Sequence, residues 1–397
     1  MVIWMDYKEG NYEPPKLGLG MSVYEASKIR IKECINSFDN IAVAFSGGKD
    51  CSAVLYLVDE CMKELGREEK VTVLFNDLEF MPSDTLAFVD GLVQSDKYNF
   101  YYLCLPTLAN VHILGHEESY IQWDPNRDWY RQPPEYAITT EDVGNVLIRK
   151  RMSDANRILL RDVKGSVCVF NGFRADESYN VYRGLKNNMG KQYLSKSDIS
   201  ERCWYCKPIY DWSIKDVFLY FLKSGNKYNR LYDWLMWLDL PLRGGIPLDT
   251  TVSKYLDKYR MYDPEYINQI LKEFPQLDSS SRYNKDISIK EIAKKYGANA
   301  KGVVDYVKDT NSNNADRKAL LKELKAMIKM RNKRIKEDWD IMGSIPYRRV
   351  YMCLVYGYGL GSADLGTNYN QNYSLEDFLF EGFTEEDYLK YKERKGI

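Results

Sequence analysis

The residues at positions 46–50, Ser-Gly-Gly-Lys-Asp, have the types and the order needed to bind a phosphate group. The two glycines, Gly47 and Gly48, let the backbone approach phosphate oxygens without a Cβ atom in the way. Ser46 offers a hydroxyl, Lys49 adds positive charge, and Asp50 can cap a helix or bind Mg²⁺ through water. The alternative is a glycine-rich structural turn, and the G-x-x-x-x-G-K-[ST] spacing is absent. We therefore predict a phosphate loop that is not a Walker loop.

The neighbouring residues supply the elements that such a loop needs. Residues 41–45 form a short apolar run that predicts a buried strand, and a helical pattern follows from Asp50 to about Leu65. A loop that leaves a strand and enters a helix presents unpaired N–H groups and the positive end of the helix dipole to an anion. The loop therefore lies where phosphate chemistry requires it.

The rest of the first half alternates in the same way. Further buried strands are predicted at residues 71–75, 100–105 and 166–170. Helical patterns lie at residues 22–37, with Ser22 as N-cap, and at 82–94 and 142–163. Ser213 with Asp216 three residues later predicts the start of another helix. This alternation predicts an α/β fold with a doubly wound, mostly parallel sheet.

The chain is predicted to divide near residue 222. Residues 1–222 form a nucleotide-binding α/β domain, in which the Pro- and Trp-rich stretch 106–140 is an insertion or lid. Residues 223–397 form a mainly helical C-terminal region. Within it, residues 285–337 hold 15 Lys and Arg against 7 Asp and Glu, a net charge of +8. Residues 287–307 resemble a helix-turn-helix, although ordinary helical hairpins look similar.

Composition restricts the environment of the protein. The net charge of the 397 residues is −1, which predicts no strong general attraction to nucleic acid or to a membrane surface. We find no run of 18 apolar residues and no signal-peptide pattern, so a cytoplasmic location is predicted. The eight cysteines stand mostly in apolar runs, as reduced core cysteines do.

Four motifs in order resemble the PP-loop ATP pyrophosphatases, and within them the branch of the phosphoadenosine-phosphosulfate (PAPS) reductases. They are residues 46–50 followed by a small residue, residues 74–79, residues 172–178 and residues 208–217. That branch usually has Ser after the Asp, and this chain has Cys51. The resemblance implies the adenine nucleotide alpha-hydrolase-like fold and the binding of ATP with Mg²⁺. It also implies cleavage between the α and β phosphates, with transfer of AMP to a substrate.

The motifs nominate the residues of the site. The predicted catalytic residues are Lys49, Asp50 and Arg174, and the predicted nucleotide-binding residues are Ser46, Gly47, Gly48, Cys51, Asp77, Glu79, Gly172, Glu177 and Ser178. Arg174 follows a strand, where it can clamp a phosphate, and its alternative is a surface ion pair with Asp176 or Glu177. Asp77 and Glu79 are predicted to hold ribose hydroxyls or Mg²⁺, with solvated loop acids as the alternative. Arg127, Arg131 and residues 149–151 either line an anionic substrate path or form a solvated face.

A narrower resemblance extends along more of the chain. Residues 122–125 with Trp129 and Arg131, and residues 345–350, are similar to the IbrA-like proteins of phages and mobile elements. This resemblance implies a ParB/sulfiredoxin-like partner protein, and the wider resemblance to PP-loop enzymes implies a homodimer. Together with the basic C-terminal region, it makes nucleic acid or a nucleotide a candidate substrate.

Two other functions are compatible with the motifs. A PAPS reductase needs a nucleophilic cysteine, which the family places on a mobile C-terminal tail. No cysteine follows Cys353, and Cys353 stands in an apolar stretch where a buried thiol is unreactive. We therefore expect no reductase activity. The third possibility is a non-catalytic nucleotide-binding partner of a regulatory complex.

Cys203 and Cys206 form the one close cysteine pair. Two thiolates at this spacing can provide half of a zinc site, which His112 and His116 could complete if folding brought them together. A redox pair and two reduced structural cysteines are the alternatives. An iron–sulfur cluster needs four thiolates as a rule, and the sequence has no second close pair.

Overall fold

A computed structural model describes residues 20–113, 116–143, 156–177, 193–253, 255–284, 288–311, 314–336, 346–356, 360, 375–381 and 383–395. Its residues form two compact units. The sheet unit comprises the chain up to residue 109 and residues 120–246 and 258–269. The helical unit comprises residues 110–119 and 247–257 and the chain from residue 270. The predicted boundary at residue 222 stays a prediction.

The sheet unit is built on six strands in the order β3-β2-β1-β6-β8-β7. The strands of the chain are β1 (Asn40–Phe45), β2 (Thr72–Asn76), β3 (Asn99–Leu103), β4 (Thr107–Ile113), β5 (His116–Gln122), β6 (Val167–Phe170), β7 (Leu194–Lys196) and β8 (Cys203–Cys206). All neighbours in the six-stranded sheet are parallel except β7, which runs antiparallel to β8. Strands β4 and β5 form a separate two-stranded sheet.

Helices account for most of the remaining described residues. They are α1 (Val23–Ser37), α2 (Lys49–Glu64), α3 (Ser83–Gln94), α4 (Thr140–Val143), α5 (Asn156–Asp162), α6 (Ile214–Ser224), α7 (Leu231–Trp237), α8 (Thr250–Ser253), α9 (Leu256–Tyr262), α10 (Pro264–Glu273), α11 (Gln276–Asn284), α12 (Ile289–Tyr296), α13 (Ala300–Thr310), α14 (Asn314–Lys336), α15 (Tyr347–Tyr356), α16 (Leu375–Phe380) and α17 (Glu385–Lys395). A 3₁₀ turn spans Ala175–Glu177.

The prediction of a doubly wound, mostly parallel sheet with a helical C-terminal region is confirmed. The four predicted strands are β1, β2, β3 and β6, and strands β4, β5, β7 and β8 were not predicted. The helix predicted at 142–163 appears as α4 and α5, and residues 144–155 lie outside the described residues. Among the described residues, no helix is long and apolar enough to cross a lipid bilayer.

Both faces of the sheet are covered, which explains why its strands are apolar runs rather than alternating ones. Val43 and Phe75 pack on one face with residues of α1, α2 and α6. Ala42 and Leu74 point to the other face, where they pack against Leu159 of α5. The chain order reverses between β1 and β6, and ligands of open α/β sheets bind at such a switch point.

Two helices begin with capping boxes, at Ser22 and Ser213, the N-cap residues that the sequence predicted. Ser22 and Glu25 exchange hydrogen bonds at the start of α1, and Ser213 and Asp216 do so at the start of α6. Each exchange satisfies amides that the first helical turn leaves unpaired. Ser213 and Asp216, at the end of the segment that joins β8 to α6, therefore stabilise the start of α6.

The helical unit has its own core. Side chains of α12, α13, α14 and α15, among them Ala293, Val303, Leu324 and Tyr351, form one buried cluster. Gly297 ends α12 at a φ of +96°, which glycine adopts without strain. The Tyr351 hydroxyl donates to the Gly297 carbonyl oxygen over 2.8 Å and so ties α15 to this turn.

Candidate phosphate-binding site

The loop between β1 and α2 has the geometry that the sequence predicted for it. Gly47 adopts a φ of +73°, and Gly48 is the N-cap of α2 without a side-chain cap. A Cβ atom at Gly47 would lie 2.7 Å from Cγ2 of Thr85 in α3. Glycine is therefore required at Gly47 both by its dihedral angle and by the neighbouring helix.

Three amides of the loop are available to an anion. Within the part of the chain that the structure describes, the N–H groups of Gly47, Gly48 and Asp50 donate to no acceptor. The Ser46 amide donates to Cys51 Sγ over 3.3 Å, and this thiol donates to the Gly48 carbonyl oxygen over 3.0 Å. The Cys51 side chain thus closes the loop from within, and its predicted contact with nucleotide stays a prediction.

Asn229 and Tyr232, around the start of α7, contact this loop and were not predicted. The Asn229 amide donates to the Gly47 carbonyl oxygen over 3.1 Å and to Thr85 Oγ1 over 2.8 Å. The Tyr232 ring lies under Lys49 Nζ, and a Cβ atom at Gly48 would lie 3.2 Å from the Tyr232 hydroxyl oxygen. No local pattern could have found these residues, because only folding brings residues 229 and 232 to residues 47–49.

The three predicted catalytic residues lie together. Arg174 is fully buried, and its Nε donates to Asp50 Oδ1 over 2.8 Å. Lys49 Nζ lies 2.9 Å from Asp50 Oδ2 and 2.9 Å from the Leu242 carbonyl oxygen, above the Tyr232 ring. Burial favours the neutral form of Asp50, but the charges of Lys49 and Arg174 outweigh it and lower the pKa of that carboxyl. Asp50 is therefore ionised.

Two more acids surround Arg174. Its guanidinium donates to Asp176, and its Nη2 lies 3.9 Å from Glu177 Oε1. The predicted alternative for Arg174, an ion pair with these acids, is thus present, but it is buried rather than at the surface. Burial, followed by the charge of Asp50, raises the pKa of Glu177 to about 7. Glu177 therefore changes its charge near neutral pH.

Gly172 lies where β6 leads into this group. A Cβ atom there would stand 2.6 Å from the Cys51 backbone nitrogen. Glycine at this position lets the strand end approach the first turn of α2, which brings Arg174 to Asp50. Its predicted role in nucleotide binding stays a prediction.

Asp77 and Glu79 contact residues of the stretch 106–140, which the sequence predicted to be an insertion or lid. Both are buried, and the chain itself supplies partners for all four carboxylate oxygens. Asp77 accepts from the Tyr102 hydroxyl over 2.7 Å, from the Arg131 guanidinium and from the Glu79 amide. Glu79 adopts a φ of +60°, which a non-glycine residue rarely does.

Glu79 is bound by other residues of the same segment. Its carboxylate accepts from the backbone amides of Trp123 and Tyr130 and from Arg127. Solvated loop acids, the alternative predicted for Asp77 and Glu79, do not fit, because both side chains are buried and bound by residues 122–131. Arg127 and Arg131 form ion pairs with these two acids. Whether Asp77 and Glu79 also contact a nucleotide stays a prediction.

The structure does not bring Cys203 and Cys206 together. Both belong to β8, where residues three apart point to opposite faces. Cys203 packs on the α5 side of the sheet, and Cys206 packs on the α1 side beside Cys34 and Cys168. The two thiols cannot share one zinc ion or form one disulfide in this arrangement. Among the described residues, no three His, Cys, Asp or Glu side chains are placed to hold a metal ion.

Several predicted residues cannot be placed. Ser178 and residues 149–151 lie outside the described residues, and so do the side chains of His112 and His116. Their predicted roles stay predictions.

Sequence comparison relates the part of the chain that carries this site to a known domain. Residues 40–235 match the profile of the phosphoadenosine phosphosulfate reductase domain. The chain is also 28% identical over 241 residues to the uncharacterized protein YbdN of Escherichia coli K12, covering 57% of this chain and 58% of that protein. The chain therefore spans less than two thirds of the length of this relative.

Solved structures resemble the fold more distantly. FMN adenylyltransferase of Candida glabrata, in complex with FAD and pyrophosphate, superposes with a TM-score of 0.36 at 15% identity, over 53% of this chain and 60% of that chain. The PAPS reductase of Candida auris gives a TM-score of 0.33 at 13% identity, over 56% and 88%. Both scores are below 0.5, so the fold assignment rests on the strand order of the sheet. Residues 40–235 resemble the phosphoadenosine phosphosulfate reductase domain, and their fold is the mostly parallel, six-stranded sheet with helices on both faces described above.

Proposed function

We propose that the sheet unit binds ATP, cleaves it between the α and β phosphates and transfers AMP to a second substrate. An oxygen of that substrate attacks the α-phosphorus, the bond to the bridging oxygen breaks, and pyrophosphate leaves with the electron pair. A nucleophile then displaces AMP from the activated substrate. The observation that carries this proposal is the set of three loop amides, at Gly47, Gly48 and Asp50, that donate to no acceptor among the described residues.

The loop suits the charge that develops in this reaction. Negative charge builds up on the departing pyrophosphate, and preorganised N–H groups at a helix N-terminus stabilise it without reorganisation. Lys49 and Arg174 lie beside the same helix N-terminus, and each forms an ion pair with one carboxylate oxygen of Asp50. A phosphate in the loop would compete with Asp50 for both cations.

The acids beside the loop fit a magnesium ion that arrives with the nucleotide. Mg²⁺ is commonly held by one or two carboxylates together with substrate phosphates and water. Asp50 and Glu177 are the carboxylates that would meet it. The ion would supply neutralisation of the phosphate charge.

Reductase activity is less compatible with the structure. It needs an accessible thiolate, and all eight cysteines of the sequence are buried. Burial raises the pKa of Cys353 to about 11, so this thiol is protonated near neutral pH. The IbrA-like kinship, a ParB/sulfiredoxin-like partner, a nucleotide or nucleic-acid substrate, homodimerisation and a cytoplasmic location stay proposals, and isolation of the native complex from cells would test the two protein partners.

Turnover of labelled ATP tests the proposed function. The purified protein is incubated with α-labelled ATP and Mg²⁺, with and without DNA, and AMP and pyrophosphate are quantified. Replacing both Ser46 and Lys49 by Ala should abolish ATP binding, because it removes a hydroxyl and a cation from the loop. The matched control replaces the exposed Lys223 and Ser224 by Ala at the end of α6, where no effect is expected.

Other results would refute the proposal. Unchanged ATP affinity after the change at Ser46 and Lys49 would mean that the loop is not the phosphate site. Sulfite released from PAPS with a thiol donor would instead establish a reductase. ATP binding without turnover under every condition would indicate a regulatory nucleotide-binding protein.

A further inference from the structure

One face of α14 carries a continuous row of lysines. The six exposed lysines of this helix are Lys318, Lys322, Lys325, Lys329, Lys333 and Lys336. Each follows the previous one by three or four residues. At about 100° per residue they fall within an arc of roughly 80°, and the row is about 27 Å long. We call it the lysine row.

The fold fixes the direction of this row. Leu324 and Met327 belong to the core of the helical unit, and Arg331, one helical turn after Met327, is also buried. These residues occupy the side of α14 opposite to the lysines, so the row faces solvent. Lys318, Lys322, Lys325 and Lys329 form no ion pair with any residue that the structure describes.

Such a row weakens the helix on its own. Like charges three or four residues apart cost an isolated helix about 0.2–0.5 kcal/mol per pair. A polyanion would offset this cost, because phosphate groups repeat along a nucleic acid and release counterions when lysines replace them. A membrane surface fits less well, since an interfacial helix needs an exposed apolar face. The large apolar side chains of α14 that the structure describes, from Leu320 to Met330, lie in the core or pack against it.

The two helices before α14, α12 and α13, indicate that the polyanion is a double-stranded nucleic acid. Helices α12 and α13 are joined by a turn of only three residues, residues 297–299, and Asn299 caps α13 by accepting from the Gly302 amide over 2.9 Å. A Cβ atom at Gly302 would lie 2.0 Å from the Gly297 carbonyl oxygen, so α13 starts close against the turn. In a helix-turn-helix the second helix enters the major groove of DNA, and α13 exposes Lys301 and Lys308. The major groove of duplex RNA is too narrow for a helix.

We propose that the helical unit binds duplex DNA, with the lysine row on the phosphate backbone and α13 as the helix presented to the major groove. This surface is distinct from the phosphate-binding loop and does not depend on the reaction proposed there. It would place the protein on DNA whether or not ATP is turned over.

Salt-dependent binding tests the inference. Fluorescence anisotropy of the full chain is measured, without nucleotide, on a labelled duplex of about 30 base pairs, roughly three helical turns. The test variant replaces Lys318, Lys322, Lys325 and Lys329 by Gln. It should bind at least tenfold more weakly at about 0.1 M salt, and the slope of log affinity against log salt should fall in magnitude by up to about 4, since each phosphate contact contributes roughly 0.9.

A control with the same charge change locates the effect. It replaces the exposed lysines Lys164, Lys215, Lys223 and Lys227 of the sheet unit by Gln and should leave both affinity and slope unchanged. Equal losses in the two variants, or no salt-dependent binding by the unaltered protein, would overturn the proposal. So would tighter binding to duplex RNA, to single-stranded DNA or to phosphatidylserine vesicles than to the DNA duplex.

Discussion

Asn229 holds the carbonyl oxygen of Gly47 at 3.1 Å, across 182 positions of sequence. This oxygen and the N–H of Gly48 belong to one peptide group, and no described peptide bond is cis. In a trans peptide the C=O and N–H bonds point in opposite directions. Because Asn229 binds the Gly47 oxygen, the N–H of Gly48 points away from Asn229, toward the side of the loop where we propose that a phosphate binds.

Replacing Asn229 by Asp tests this positioning role. The carboxylate keeps the shape of the side chain but cannot donate to the Gly47 oxygen. We expect the affinity for pyrophosphate and ATP to fall about tenfold, as for the loss of one well-oriented hydrogen bond, with little change for adenosine. Isothermal titration calorimetry with the three ligands measures this split, which a merely structural role would not produce.

The same amide-to-acid change at Asn36, which is exposed in α1, controls for the added charge. Its pyrophosphate affinity should equal that of the unaltered protein. If the Asn229 variant also bound pyrophosphate normally, the orientation of the Gly48 amide would not depend on Asn229.

Gly172→Ala should disrupt the contact between the end of β6 and the start of α2. The new Cβ would lie 2.6 Å from the Cys51 backbone nitrogen, and backbone atoms cannot move away as a flexible side chain can. We expect a loss of more than about 2 kcal/mol in the free energy of unfolding, measured with urea. Gly91→Ala in α3 meets no atom within 4 Å and should instead stabilise the protein by about 0.5–1 kcal/mol. Equal stabilities of the two variants would refute the close approach.

The sequence predicted the phosphate loop because its parts are contiguous. A strand, two glycines and a helix start are all set by local preferences, and residues 40–64 contain them all. Asn229 and Tyr232 could not be found in this way. Their roles depend on the packing of α7 against the loop, for which no local pattern exists.

Local patterns were less informative where their meaning depends on neighbours. Spacing gave Asp77 and Glu79 as acids at a strand end, but not that Arg131 and Arg127 would fold back onto them. Cys203 and Cys206 looked like a pair until β8 was seen to be a strand, because its alternation separates them. In both cases the local sequence lacked the information on how distant parts of the chain pack together.

Glu177 should make pyrophosphate binding depend on pH. Burial and the charge of Asp50 raise the pKa of Glu177 to about 7. The side chain is therefore neutral below this pH and negative above it. Without Mg²⁺, affinity should fall as pH rises from 6 to 8 through this pKa, by roughly tenfold, which corresponds to about 1.4 kcal/mol of repulsion.

The Glu177→Gln variant separates this effect from the titration of pyrophosphate itself. The ratio of the two affinities should be constant well below pH 7 and should change through pH 7. The same pKa shift makes folding stability fall as pH rises from about 4.5 to 7, and Gln should remove this fall as well. A pH-independent ratio would mean that Glu177 does not face the bound anion.

The buried ion pair between Arg30 and Asp211 should be the most sensitive link between α1 and the segment after β8. The two side chains are almost fully buried and make two parallel hydrogen bonds of 2.8 and 2.6 Å. Arg30→Met leaves a buried carboxylate without its partner, which costs about 3–5 kcal/mol. Lys63→Met removes an exposed pair with Asp59 and should cost less than about 1 kcal/mol. Urea unfolding compares the free energies of unfolding of the two variants, and a similar small cost for both would refute the structural role of this buried pair.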